Sequence, residues 1–148
     1  MKQLFMTALI AIAIGTSAYA GPTTISTKVN DHFTAAFTNA KNVTWKSDQN
    51  FDKVSFVLDG VKVQAFYDVE GELIGTSKTF AFDKLPKSAL EIITTKYTYP
   101  NYQLRDCIEF VNATNERNYY VSFSKQNETV VLEITRGGMV SVFAKSKK

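Results

Sequence analysis

The stretch Val54-Ser55-Phe56-Val57-Leu58-Asp59-Gly60-Val61-Lys62-Val63-Gln64-Ala65-Phe66-Tyr67 carries apolar residues at every second position on both sides of Asp59-Gly60. A period of two is that of a half-buried strand, and Asp-Gly between two such runs is a strong hairpin signal. Val54-Ser55-Phe56 then returns 67 residues later as Val121-Ser122-Phe123, and Gly71 returns as Gly138 at the same offset. Between these anchors, Val63, Ala65 and Tyr67 fall on Val130, Leu132 and Ile134, and Asp59-Gly60 falls on Gln126-Asn127. Each half therefore reads as strand, tight turn, strand, glycine turn, strand. The unbroken register over about 20 residues points to an internal duplication.

Working outward, each strand set is preceded by a helical segment. Val29, Phe33, Ala36, Phe37 and Ala40 lie at the spacing of one helix face, with Ser26 or Thr24 to cap its start. Ala89, Ile92, Ile93 and Tyr97 repeat that spacing behind Pro86, a residue suited to a first helical turn. An additional strand follows each helix, around residues 43–46 and 103–111. The expected architecture is α+β: tandem α-β4 modules, about residues 25–80 and 84–144, forming one antiparallel sheet with helices packed on one face.

Alternation also sorts the two sheet faces. Val54, Phe56, Leu58, Val61, Val63, Ala65 and Tyr67, with Val121, Phe123, Val130, Leu132 and Ile134, make the face toward the helices. The opposite face is polar with scattered apolar members. Its Val57, Phe66, Tyr120 and Val131 are the candidate partner-binding residues, because their parity opposes the apolar set and aromatic side chains dominate protein interfaces. Trp45 is assigned to the core.

The first twenty residues have another character. Lys2 is followed by an apolar run over residues 4–14 and then by Ala18-Tyr19-Ala20, the three parts of a secretory signal peptide in order. The expected mature chain is residues 21–148, one domain built of the two repeats, periplasmic or secreted. No cysteine near the cleavage point offers lipid attachment, and no later apolar run approaches the 18 residues of a membrane helix. The charge is +3, near +2 without Lys2. That balance gives no argument for nucleic acid. The oligomeric state is not encoded legibly.

Residues for catalysis are few. His32 is the only histidine and Cys107 the only cysteine. One of each does not make a typical zinc site, and the lone thiol reads as a small packing residue in a strand. Asp68-Val69-Glu70-Gly71-Glu72 lacks the spaced ligands of a calcium loop. Gly137-Gly138 is a turn between strands and does not open a helix, as a phosphate loop would. The expectation is no enzyme, no metal and no cofactor. Asn42, Asn112 and Asn127 head glycosylation sequons, which matter only in a host that uses them.

Val43-Thr44-Trp45, the run from Ala65-Phe66-Tyr67-Asp68 through Gly75-Thr76, Leu85-Pro86 and Tyr99-Pro100-Asn101-Tyr102 occur in an order and spacing that resembles the exported PepSY-like proteins, also described as β-lactamase-inhibitor-like. The resemblance spans about residues 25–143. It implies the tandem α-β4 sheet and an envelope or extracellular location. In the inhibitors of this group a concave sheet and its hairpin loops clasp an enzyme. No inhibitory contact residue can be matched here, and the inhibitors' disulfides are absent, so the likeness concerns fold and not target. The leading functional expectation is an exported, non-enzymatic binding module for an exported protein, of an inhibitor kind. A small-ligand carrier and a self-assembling envelope protein are the alternatives.

The protein recovered from the envelope or medium of its host is expected to begin at Gly21 by intact-mass measurement. Recovery there with Met1 retained would overturn the signal-peptide reading.

Overall fold

Ser26 takes an extended conformation and its hydroxyl accepts the backbone N–H of Val29 at 3.3 Å, which satisfies one of the unpaired donors at a helix start. Of the two candidate caps, Ser26 is therefore the one used. The computed structural model describes residues 24–47 and 49–147. The signal-peptide expectation falls on residues outside them.

Helix α1 spans Thr27–Ala36 and turns only Val29 and Phe33 fully inward. It stops earlier than the apolar spacing suggests. Phe37 leaves the helix and its ring packs between Phe33 and Phe56, at 5.4 and 4.8 Å. Four strands follow, β1 (Lys41–Ser47), β2 (Phe51–Leu58), β3 (Val61–Asp68) and β4 (Leu73–Thr79). A 3-10 turn at Phe82–Lys84 leads to α2 (Lys87–Lys96), then to β5 (Gln103–Asn112), β6 (Arg117–Lys125), β7 (Glu128–Thr135) and β8 (Val140–Lys147). Pro86 sits just ahead of α2 and offers its carbonyl to Leu90 N–H at 3.0 Å. The eight strands form one antiparallel sheet in sequential order, β1 to β8.

Cross-strand register carries the face assignment through the sheet. Val54 opposes Ala65, Ala65 opposes Thr76, Thr76 opposes Val111, and Cys107 opposes Val121, all on one side. On that side Val29 and Phe33 of α1 pack with Val54, Phe56, Ala65 and Tyr67. Ala89 and Ile93 of α2 pack with Val121, Val130, Leu132 and Ile134. Both helices thus lie on the same face. Burial of each large apolar side chain contributes about 1.5–3 kcal/mol, so short helices with two anchors each can still be held. Trp45 is half-buried on this side, its ring 5.2 Å from Phe33 and 6.3 Å from Tyr67.

Gly71 and Gly138 both take φ above +80°, a backbone region that side chains disfavour. Each also lies against the start of a helix: a Cβ on Gly71 would meet Lys28 and Val29, and one on Gly138 would overlap Ser88. Both glycine turns are therefore required twice over, by conformation and by space.

Gly75 is needed for space alone. It lies on β4, between Phe66 of β3 and Asn112 of β5. A Cβ there would stand 2.5 Å from the Val111 carbonyl oxygen and 2.7 Å from Cζ of Phe110. The Phe110 ring covers the bare glycine backbone and reaches Phe66, 6.2 Å away between centroids. Gly75→Ala is expected to destabilise the protein by about 1–3 kcal/mol through overpacking, measured by urea unfolding. A loss below that of Gly137→Ala, where the atom nearest the added carbon is Thr135 Oγ1 at 3.9 Å, would overturn the packing role.

Candidate functional site

Among the described residues no helix covers the second face of the sheet, yet much of it is dry. Phe51, Phe66, Ile108, Phe110, Tyr120 and Val131 form a buried cluster there, with Ile74, Phe143 and Ala144 against it. Ring centroids run from Phe51 to Phe66 (6.2 Å), Phe66 to Phe110 (6.2 Å), Phe110 to Tyr120 (6.4 Å) and Tyr120 to Phe143 (5.1 Å). This aromatic row crosses the sheet from β2 to β8. Offset and edge-to-face contacts of this kind each contribute about 0.5–1.5 kcal/mol beyond area burial.

The row changes the reading of the candidate residues. Parity places Phe66, Tyr120 and Val131 on the face away from the helices, as expected. However, they are 0%, 1% and 8% exposed, so the expectation that they form an open docking surface is corrected. The physical reason is that a twisted sheet can fold a face inward on itself. Alternation reports which side a residue occupies and says nothing of curvature. Tyr120 also gives its hydroxyl proton to Glu133 Oε1 at 2.8 Å, and Asn118 donates to the same oxygen at 3.0 Å. Burial first, and the Glu133 bond second, push the Tyr120 pKa upward.

Val57 has a different surrounding. It is half-buried and lines an open trough of about 410 Å3 beside the aromatic row. Adjacent strands lie about 4.8 Å apart, so a flat sheet would hold β1 and β5 roughly 19 Å apart. The trough is nonetheless walled by Asn42 of β1 and by Ile108 of β5, so the sheet curls toward this side. Its floor is a cross-strand ladder of hydrogen-bonding groups: Ser55 opposite Gln64, and Gln64 opposite Ser77. Ser77 Oγ donates to Gln64 Oε1 at a long 3.5 Å. The amide and the Ser55 hydroxyl keep bonding capacity for an incoming group.

Two buried charges belong to this region of the sheet, and neither stands out in the sequence. Glu109 points to the helix side in the seam between β4 and β6, 4% exposed. Lys78 and Arg117 hold its two oxygens at 3.2 and 3.5 Å. Lys53, on the trough side, is 8% exposed. Burial, and then repulsion from Lys46, lower its pKa.

The groups with catalytic potential are kept apart. His32 Nδ1 lies 3.1 Å from the Tyr67 hydroxyl on the α1 side. Cys107 belongs to the cluster beneath α2, and burial pushes its thiol up to about 12. A thiol so held is protonated and a poor nucleophile at neutral pH. Asp68 Oδ1 accepts Glu72 N–H at 2.8 Å within its own turn, and Glu72 pairs with Lys28 at 2.5 Å. Among the described residues no three potential metal ligands come together, and no helix is long and apolar enough to cross a membrane. Asn112 Oδ1 accepts Thr114 N–H and Glu116 N–H, at 3.0 and 2.9 Å, so this sequon is built into its loop.

The chain matches no described sequence family and no curated protein sequence. Solved structures do match its fold. A BLIP-like protein from Bacteroides fragilis superposes with a TM-score of 0.65 at 18% identity, over 86% of this chain and 89% of that one. A DUF2874 family protein from Bacteroides ovatus gives 0.69 at 16%, over 85% and 89%. A Bacteroides eggerthii protein, provisionally described as periplasmic, gives 0.69 at 11%, over 84% and 90%. The chain therefore has a BLIP-like fold. At these identities the likeness speaks of fold alone.

Replacing Phe66 by Ala is expected to cost about 3–5 kcal/mol of stability, whereas Val57→Ser should cost under about 1.5 kcal/mol. Chemical denaturation checks both. Equal, small losses would return Phe66 to the open surface.

Proposed function

We propose that this chain is an exported, non-enzymatic binding module that holds an envelope or secreted protein in the trough of its sheet, in the manner of an enzyme inhibitor. The observation that supports it most is the trough itself. A sheet face left without a helix is normally either flat and solvated or covered. Here it is curled over a rigid aromatic row and lined by hydroxyl, amide and apolar groups. That is the mixture expected of a recognition surface with a stiff support. The BLIP-like fold of the Bacteroides fragilis protein and the periplasmic description of the Bacteroides eggerthii protein agree with this reading.

The proposal includes the chain's organisation. Residues 1–20 direct export, and residues 21–148 form one domain of two α-β4 copies. The paired glycine turns at Gly71 and Gly138, each against its own helix start, support the duplication. Within the site, Val57 contacts the partner, while Phe66, Tyr120 and Val131 act from beneath by shaping the support.

Capture from host envelope and culture fluid, read by mass spectrometry, tests the reading. The unaltered chain is expected to recover one protein in stoichiometric amount. The Val57→Glu, Lys62→Glu double variant, changed only at trough-lining positions, is expected to recover at least about ten-fold less, equivalent to 1.4 kcal/mol. Undiminished capture by the variant would remove the trough from the site.

A further inference from the structure

At one end of the sheet the turn between β5 and β6 meets the turn between β7 and β8. Together they wall an open cavity of about 550 Å3, with residues 115–118 on one side and 135–137 on the other. It shares no lining residue with the trough. Its walls are asparagine, glutamate, arginine, threonine and glycine, without one apolar side chain. The volume is that of a small-molecule site, but such sites are mostly apolar and this one is not.

The cavity gathers positive charge. The β6–β7 ladder ends with Asn118 opposite Thr135. One step beyond that pair come Arg117 and Arg136, and both line the cavity. Like charges in that relation are destabilising. Arg117 turns one nitrogen to Glu109 Oε2 at 3.5 Å, and a guanidinium has five N–H donors to give. Arg136 is exposed and enters none of the ion pairs among the described residues. The carboxylate on the walls, that of Glu116, is drawn back into its own loop. Its Oε2 accepts Asn112 Nδ2–H at 2.7 Å and the Thr114 hydroxyl at 3.4 Å. Backbone bonds close both turns: the Glu116 carbonyl accepts Asn112 N–H at 3.0 Å, and the Thr135 carbonyl accepts Gly138 N–H at 2.9 Å.

We infer that this cavity binds a sugar carrying a phosphate or sulfate group. A guanidinium fork matches a tetrahedral oxyanion with two parallel N–H···O bonds, and an anion received by both arginines relieves their mutual repulsion. The cavity has more room than one oxyanion fills, so the rest of its wall decides the carrier. Asn115 presents an amide, Thr135 a hydroxyl and Glu116 the carboxylate oxygen that its loop leaves over, while Asn118 spends an N–H on Glu133 at 3.0 Å and keeps its carbonyl. These are partners for hydroxyl groups. An acyl chain or an aromatic ring would find no apolar side chain to cover it. The inference is independent of the trough.

The purified chain is titrated with glucose 6-phosphate, glucose 6-sulfate, glucose and inorganic phosphate at constant ionic strength. Calorimetry gives the affinities, and NMR follows the backbone amides. At least one ester should bind one to one and shift the Asn115 and Gly137 amide signals saturably. It should bind at least about ten-fold tighter than glucose or inorganic phosphate, and the tighter ester names the group. Arg136→Gln should weaken that binding at least about ten-fold and melt no lower than the unaltered chain, since one of two like charges is gone. Lys145→Gln removes the same charge from β8, outside the cavity, and should bind as the unaltered chain does. Failure of both esters to bind at millimolar concentration, or undiminished binding by Arg136→Gln, would overturn the inference. So would equal weakening by Lys145→Gln, which reports general attraction of charge. Glucose binding as tightly as the esters removes the oxyanion, inorganic phosphate binding as tightly removes the sugar, and either result overturns the assignment.

Discussion

The contact between the Phe110 ring and the bare backbone of Gly75 is the constraint on which the two-faced sheet depends. Among the described residues there are two helices, and both pack on the same face of the eight-stranded sheet. The other side must then be solvated or bury itself. Gly75 lies on β4, midway across the sheet, where a side chain would separate Phe66 from Phe110. Without one, the rings approach across an intervening strand and the row continues to Tyr120 and Phe143. The absence of a single β-carbon thus joins the apolar surface of both halves, and the curl that makes the trough follows from the same side chains drawing together.

The trough and the row divide the work of a site. The row supplies stiffness, since rings locked between neighbours have few rotamers left to lose. The trough supplies groups with unspent bonding capacity, namely Ser55 and Gln64. Glu109 and Lys53 illustrate opposite uses of burial. The first is neutralised by Lys78 and Arg117 and ties the seam between the halves on the helix side. The second enters none of the ion pairs among the described residues, and its burial lowers its pKa.

Much of the fold was legible because period-two patterning and turn chemistry are local. Strand order, the Asp59-Gly60 hairpin, the paired glycine turns and the helix anchors Val29, Phe33, Ala89 and Ile93 all follow from neighbours within a few positions. Ile92, assigned to the same stripe, stays exposed because only a narrow side of α2 meets the sheet. The candidate site was half legible. The side occupied by Val57, Phe66, Tyr120 and Val131 came from parity, but their exposure depends on curvature, which is set by contacts between residues distant in sequence. Only Val57 stands in the trough. Gly75 could have been suspected, since glycine within a strand often marks a close approach. Lys53 and Glu109 carry no such mark, because a charged residue on an alternating strand looks the same whether water or a neighbour surrounds it.

Every strand of this sheet pairs with the strands next to it in sequence, from β1 through β8. Among the described residues no ladder waits for a partner distant in sequence. Such a sheet can be laid down progressively from its first hairpin, each new strand finding a finished edge already in place, with little loop-closure entropy to overcome at any step. A polypeptide that must emerge end-first through a narrow channel and fold on the far side would meet this topology in the order in which it can be built.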